Sequence, residues 1–277
     1  MKLSKILNQC KTKYSLENFS NISIEGLSNF SKDVKKNFIF AAIKGQKSNG
    51  EKFISELLIL KKLVIIVSEK TKININFKLN SKIVIVRTSN VRLMFSEISS
   101  ILYPNKIKEK VAVTGTNGKT SITNYVMQLW NTKKQNNCSI GTLGLIYNKK
   151  VMETSNLTTP DALTNHKYLN KLTKMGCQRI IFEASSIGLD QFRLYPLKFN
   201  AVAFTNLSRD HLDYHKSMRN YKNCKSLLFE NYVKNNSFSV INSDTTYSKY
   251  FLNICKKNNI TILDYGKNAS FLKINKI

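Results

Sequence analysis

The densest run of chemically useful residues is Val111-Ala112-Val113-Thr114-Gly115-Thr116-Asn117-Gly118-Lys119-Thr120-Ser121. An apolar, β-branched stretch feeds a loop with two glycines, and Lys119-Thr120 opens what reads as a helix. Glycine lets the backbone approach phosphate oxygens closely, and a helix start presents unpaired N–H groups to an anion. In such a loop Gly115, Thr116, Asn117, Gly118, Lys119, Thr120 and Ser121 would cradle a nucleoside triphosphate. Lys119 would neutralise the β- and γ-phosphates, and the Thr120 hydroxyl would ligate Mg²⁺. The general phosphate-loop pattern has glycine where this chain has Val113, so a plain strand–turn–helix corner is the alternative.

Three further side chains have the chemistry to join that loop. Arg179–Ala184 reads as a buried strand with Glu183 near its carboxyl end, from which a carboxylate can reach a metal or cap the next element. His211 follows the strand Ala201–Thr205, and neutral imidazole is a good metal ligand, although a lone histidine is as often a surface or satisfied core residue. The helix Ser217–Lys234 carries Met218, Tyr221, Lys225, Leu228 and Tyr232 at helical spacing, placing Lys225 within an otherwise apolar and aromatic stripe. Desolvation of an inward lysine lowers its pKa and leaves more neutral amine, the form CO₂ can carbamylate. The plainer reading is a snorkelling lysine packing its stem on aromatics.

The elements that must position these groups form two blocks meeting near Tyr103–Lys110, where Pro104 disfavours helix continuation. The first has apolar strands at Phe38–Ile43, Leu63–Val67 and Ile83–Val86 with a helix over Glu51–Leu60, hence a small α/β layer. The second alternates. Strand Val111–Thr114 and a helix to about Trp130 precede helix Asp161–Met175 and strands Arg179–Ala184 and Ala201–Thr205. Helix Ser217–Lys234, strand Phe238–Ile241, helix Asp244–Lys256 and strand Ile260–Tyr265 follow. That alternation predicts a mostly parallel sheet with its site at the strands' carboxyl ends.

At 277 residues and 42% hydrophobic content the chain suits two folded α/β domains rather than disorder. Its formal net charge of +27 is spread over lysines from Lys2 to Lys276, with no Arg-rich block or aromatic-interleaved RNA motif. Nucleic-acid binding is therefore not expected, whereas anionic substrates would be attracted. Five widely spaced cysteines without a CxxC pair predict neither a zinc site nor a disulfide framework. Free thiols and the lack of a signal-like start predict a cytoplasmic protein; Leu57–Val67, broken by Lys61 and Lys62, is too short to span a membrane.

The loop Thr-Gly-Thr-Asn-Gly-Lys-Thr (114–120) resembles that of the Mur ligase family, ATP-dependent enzymes of peptidoglycan precursor synthesis. Thr205-Asn206-Leu207-Ser208-Arg209-Asp210-His211-Leu212-Asp213-Tyr214-His215 resembles the block of its MurE type, which adds the third peptide residue. The resemblance implies that His211 binds a second Mg²⁺. It also implies a carbamylated lysine 14 positions later, at Lys225 (225 − 211 = 14), with Thr120 and Glu183 completing the metal ligands. Lys119, Glu183, His211 and Lys225 are then the catalytic set. Leu157-Thr158-Thr159-Pro160-Asp161-Ala162-Leu163 and Ser185-Ser186-Ile187-Gly188-Leu189-Asp190-Gln191-Phe192-Arg193 resemble the substrate blocks. By that likeness Thr158, Thr159, Ser185, Gln191 and Arg193 contact UDP-MurNAc-L-Ala-D-Glu, with Ile187 standing where the family has histidine.

The likeness is weaker in residues 1–105, the family's UDP-sugar-binding domain, where Asn29, Ser31, Gln46, Lys47 and Ser48 would touch the UDP-sugar and Phe30 and Lys32 depart from the pattern. Residues 106–277 correspond to the central ATP-binding domain, cut short, with the family's carboxyl-terminal domain absent. The implied reaction uses ATP and Mg²⁺ to form an acyl phosphate, which a diamino acid (meso-diaminopimelate or L-lysine) then attacks, in a monomer with no membrane partner. The expectation for the chain alone is weak binding and poor ligation. The alternatives are a non-catalytic remnant that binds nucleotide or UDP-precursor, and another related ligase such as folylpolyglutamate synthase.

Overall fold

The computed structural model describes residues 1–45, 48–73, 82–132 and 136–275. The chain forms two compact units, Met1–Pro104 and Asn105–Ile277. In the first, helix α1 (Leu3–Leu7) precedes strands β1 (Tyr14–Glu17), β2 (Gly26–Ser28) and β3 (Phe38–Ala41); helix α2 (Ile54–Leu57), strands β4 (Lys62–Ser68) and β5 (Lys82–Thr88) and helix α3 (Val91–Leu102) follow. The sheet order is β1-β5-β4-β3-β2, all parallel except the β1–β5 pair. Near-continuous apolar runs such as Leu63–Val67 are fully buried, as a strand covered on both faces requires.

The second unit opens with β6 (Glu109–Thr114), α4 (Lys119–Thr132), β7 (Asn137–Gly141), β8 (Gly144–Tyr147), β9 (Lys150–Glu153) and α5 (Ala162–Lys174). It continues through β10 (Arg179–Glu183), α6 (Ser186–Asp190), β11 (Phe199–Phe204), α7 (Leu212–His215) and α8 (Met218–Asn231). It closes with β12 (Val233–Asn242), α9 (Ser248–Lys257), β13 (Thr261–Gly266) and β14 (Leu272–Lys273). The sheet runs β14-β13-β12-β11-β6-β10-β7-β8-β9, parallel from β14 to β7 and antiparallel across β7–β8–β9. The expected α/β class with a mostly parallel sheet is what forms. Central β6 lies between β10 and β11, so the carboxyl ends of all three converge, the crevice where parallel sheets place ligands.

Four expected elements differ most in their bounds. The helix over Glu51–Leu60 is two 3₁₀ turns around the four-residue α2, because Asn49 caps Glu51 N at Gly50 and Lys61 leaves in a left-handed conformation. Helix α8 stops at Asn231, and β12 already begins at Val233, which pairs with Phe199 ahead of a register shift. The polar Lys234-Asn235-Asn236 run hides that strand start from a hydrophobic pattern. Helix α9 begins at Ser248 rather than Asp244, whose carboxylate instead accepts from Lys267 N and Asn268 N.

Helix α5 starts as expected, with Asp161 accepting from Thr164 N, and ends before Gly176 at φ +75°. It buries His166, whose Nε2 lies 3.0 Å from Tyr195 O. Burial pushes this imidazole down to about 4, while the unfolded chain takes up a proton near the ordinary value of about 6.5. The unfolded state therefore binds more protons between those values, and stability falls as pH drops from 6.5 toward 4. The expected loss reaches about 3 kcal/mol at pH 4. Denaturant unfolding at pH 7 and pH 4 checks it: His166→Gln should lose less than wild type over that interval by about that amount.

Candidate functional site

The loop after β6 is shaped by the strand beside it. A Cβ on Gly115 (φ +151°) would lie 1.8 Å from Thr205 Oγ1, so only glycine fits there. Thr205, just past β11, donates to Asn117 O at 2.7 Å; Asn206 Oδ1 accepts from Asn117 N at 3.0 Å and Asn206 O from Thr116 N at 2.9 Å. The loop Gly115–Gly118 is thus clamped by the end of β11 before α4 begins at Lys119. Lys119 Nζ curls back to donate to Gly115 O at 2.9 Å and Thr116 O at 2.8 Å. Burial lowers its pKa, opposed by the charges of Glu183 and Asp210. Ser121 is exposed in the first turn of α4.

Glu183 ends β10 beside this loop and is buried. Its Oε2 accepts from Thr120 Oγ1 at 2.8 Å and Thr142 Oγ1 at 3.2 Å, and its Oε1 from Thr142 N at 2.9 Å. Gly141 admits the carboxylate, since a Cβ there would stand 2.1 Å from Glu183 Oε1. The Thr120–Glu183 oxygen pair next to a helix start fits Mg²⁺, a hard cation usually held by one or two protein oxygens plus phosphates. Among the described residues no three of His, Cys, Asp and Glu converge as a metal cluster.

Lys225 is 1% exposed on α8, in a buried stripe with Tyr221, Leu228 and Tyr232. Its Nζ donates to Gly115 O at 2.7 Å and stands 4.5 Å from the centre of the Tyr221 ring. Burial pushes this amine well below the ordinary lysine range; the Lys119 cation adds to the shift and Asp210 opposes it. The two amines therefore share one carbonyl of the phosphate loop. Tyr221 extends the contact, its Oη 3.2 Å from Thr116 Oγ1. His211 is not drawn into this cluster: it is exposed, in a left-handed conformation ahead of α7, with Nε2 3.5 Å from Asp210 Oδ2 and its ring 6.4 Å from that of Tyr221.

On the other side of Glu183, the Thr158 and Thr142 hydroxyls lie 3.2 Å apart, and with the Thr142 proton on the carboxylate Thr158 is the donor. Thr159 is buried, its hydroxyl 2.8 Å from Glu183 O and 2.9 Å from Ser185 Oγ, and Ser185 caps α6 at Gly188 N. Arg193 donates through Nε and Nη2 to Gln191 Oε1 and through Nη1 to Thr159 O. Ile187 is half-buried on α6. In the first unit, Asn29 and Ser31 flank the turn after β2, with Asn29 and Phe30 exposed, and Ser48 is exposed in the loop after β3. Gln46 and Lys47 lie outside the described residues.

Four further residues take part here with little sequence signal of their own. Thr142 sits in the β7–β8 turn, and its only sequence signal is Gly141 before it. Asp210 was visible in the His211 block but unassigned, yet its charge acts on both lysines. Thr205 and Asn206 were legible only as a strand end; their pairing with the phosphate loop depends on β11 lying beside β6.

The profile of the Mur ligase middle domain matches residues 113–277. The UDP-N-acetylmuramoyl-L-alanyl-D-glutamate–2,6-diaminopimelate ligase of Rickettsia conorii is 37% identical over 251 residues, 90% of this chain and 51% of the relative. The ligase of the same name from Rickettsia prowazekii is 36% identical over 269 residues, 96% of this chain and 54% of the relative. The solved structure of another ligase of that name superposes with a TM-score of 0.72 at 26% identity, covering 90% of this chain and 50% of its own. The chain spans about half the length of the curated relatives it matches. With the phosphate loop, its buried carboxylate and the matched profile in one unit, the chain belongs to the Mur ligase family.

Proposed function

We propose that this chain is the nucleotide- and precursor-handling part of a cytoplasmic, monomeric ligase that joins 2,6-diaminopimelate to UDP-MurNAc-L-Ala-D-Glu at the cost of ATP. The observation that carries it is the meeting, at the carbonyl of Gly115, of Lys119 from the phosphate loop and Lys225 from a helix 110 positions on. A structural lysine has no reason to be buried against another lysine at a nucleotide loop; a group that must face a transferring phosphate does.

The residues divide the work as follows. Backbone N–H groups of Gly115–Thr120 and the start of α4 hold the triphosphate, with Lys119 placed to move from the loop carbonyls onto the β- and γ-phosphates. Arg193, Gln191 and the Thr158–Thr159 segment orient the precursor so that its terminal carboxylate approaches the γ-phosphate. Phosphoryl transfer gives an acyl phosphate, and the incoming amine displaces inorganic phosphate. Thr120 and Glu183 would hold Mg²⁺ and, in the proposed assignment, His211 and Lys225 a second ion. Bound there, Mg²⁺ offsets the negative charge of two anions brought together. Lys225 serves once its neutral amine adds CO₂, releasing a proton and becoming an anionic carbamate. Beside the Lys119 cation an anion at that place is attracted, where an ammonium is repelled.

The direct test is ATP binding by calorimetry in the presence of Mg²⁺. Lys119→Ala is expected to weaken it about 100-fold, the worth of one or two charge-assisted hydrogen bonds. Equal affinity in wild type and variant would remove the nucleotide reading.

A further inference from the structure

Cys138 in β7 and Cys177, just ahead of β10, bring their sulfurs within 3.3 Å of each other although they stand 39 positions apart in sequence. Two carbon atoms in ordinary packing stay about 3.5–4.0 Å apart, and sulfur is larger. Both thiols also converge on one carbonyl: Arg179 O lies 3.3 Å from Cys177 Sγ and 3.7 Å from Cys138 Sγ. The other three sulfurs meet oxygen instead. Cys10 Sγ donates to Ile6 O, Cys224 Sγ to Asp190 Oδ1, and Cys255 partners Ser239.

The backbone holds this pair in place. Cys138 is flanked in register by Ile180 of β10 and Tyr147 of β8. Cys177 follows Gly176, which turns out of α5 at φ +75°, and its N–H donates to Leu172 O at 3.0 Å. The two thiols differ in reactivity. Cys138 is fully buried, and burial holds it well above the ordinary thiol range. Cys177 is 6% exposed and is held below that range by the neighbouring Cys138 thiol, whose hydrogen bond stabilises the thiolate against the cost of burial. The thiolate is the nucleophile, so Cys177 is the sulfur that attacks and Cys138 the one that resolves.

We propose that Cys138 and Cys177 are an oxidation site at which a hydroperoxide makes a reversible disulfide, stapling β7 to the start of β10. The Cys177 thiolate attacks one peroxide oxygen; the O–O bond breaks, leaving a sulfenic acid on Cys177 and, after protonation, water. Cys138 then gives up its proton and attacks the Cys177 sulfur; the S–O bond breaks and a second water leaves. Two thiols lose two electrons in all, and hydrogen peroxide becomes two waters. The staple sits at the amino end of β10, away from Glu183 at its carboxyl end. It joins the two strands that carry Thr142 and Glu183, whose contact is 2.9 Å from Thr142 N to Glu183 Oε1.

The test is peroxide treatment of the folded full chain, followed by unfolding in iodoacetamide and intact mass. The untreated chain, with five cysteines, should take up five labels and the treated chain three, and dithiothreitol should restore all five. Digestion without reduction should yield Cys138 and Cys177 in one cross-linked peptide. The oxidised chain should melt roughly 5–10 °C higher, because the bond closes a long loop in the unfolded chain. Cys138→Ala should stop at the sulfenic acid, which dimedone captures on Cys177, whereas Cys177→Ala should keep Cys138 unmodified. Five labels on the treated wild type, a cross-link between other cysteines, or a Cys138–Cys177 bond that lowers the melting temperature would overturn the inference. The wild-type measurements decide it even where a variant folds poorly.

Discussion

Lys225→Met is expected to lose at least about 1,000-fold in precursor-dependent phosphate release, a transition-state loss of about 4 kcal/mol, while unfolding no earlier than wild type. The two halves of that expectation separate function from structure. Burial makes the Lys225 ammonium unfavourable and Lys119 repels it, so an apolar side chain of similar length removes a cost rather than a support. Gly115 O keeps Lys119 as a donor after the change. The proposed carbamate role, by contrast, needs an anion at this place. Lys225→Ala distinguishes the two roles further, because it leaves a space that a short carboxylate can fill. Formate or acetate should restore part of the activity of Lys225→Ala and none of Lys225→Met, where the space is occupied. The assay is best run on the chain fused to the second half of a curated relative, with intact mass of gently prepared wild type reporting the added CO₂. Activity within tenfold of wild type in Lys225→Met would end the assignment.

The phosphate loop, Glu183 and the inward stripe of α8 were legible because each depends on local sequence alone. A strand, a glycine pair and a lysine mark the loop; an apolar run ending in an acid marks Glu183; helical spacing marks Lys225 as the one cation among Tyr221, Leu228 and Tyr232. What sequence could not supply was the third dimension between them. Nothing in residues 205 and 206 announces that they clamp residue 117, because that contact exists only once β11 is placed beside β6. The β7–β8–β9 hairpins were missed for a different reason. Their buried positions in β7 include Asn137, Ser139 and Gly141, so the strand that brings Thr142 to Glu183 does not look apolar. The start of β12 shows no apolar pattern because Lys234-Asn235-Asn236 follows Val233. The family profile begins at residue 113, so the first unit rests more on its own geometry than the second does.

The shared carbonyl of Gly115 makes that glycine the most sensitive backbone position in the site. Gly115→Ala would place a methyl group 1.8 Å from Thr205 Oγ1, 3.1 Å from Thr205 Cβ and 3.2 Å from Asn206 N, at φ +151° where L side chains are strained. Relief requires Thr205 and Asn206 to move, and these are the residues that bond Asn117 and Thr116. Backbone strain of roughly 1–3 kcal/mol and overpacking of roughly 1–3 kcal/mol combine to about 4 kcal/mol. For a unit of this size the melting temperature should fall by roughly 8–16 °C. ATP binding should fall below detection even where the fold survives, because Lys119 and Lys225 both take their position from the displaced carbonyl. The double variant Gly115→Ala/Thr205→Ala separates the two contributions. It removes the Oγ1 contact but keeps the backbone strain and loses the Thr205–Asn117 bond, so it should recover roughly half of the lost stability and none of the nucleotide affinity. A single variant that melts within about 3 °C of wild type and still binds ATP would mean that the loop does not rest against β11 as described, and that the meeting of the two lysines at its carbonyl is not a fixed feature of the site.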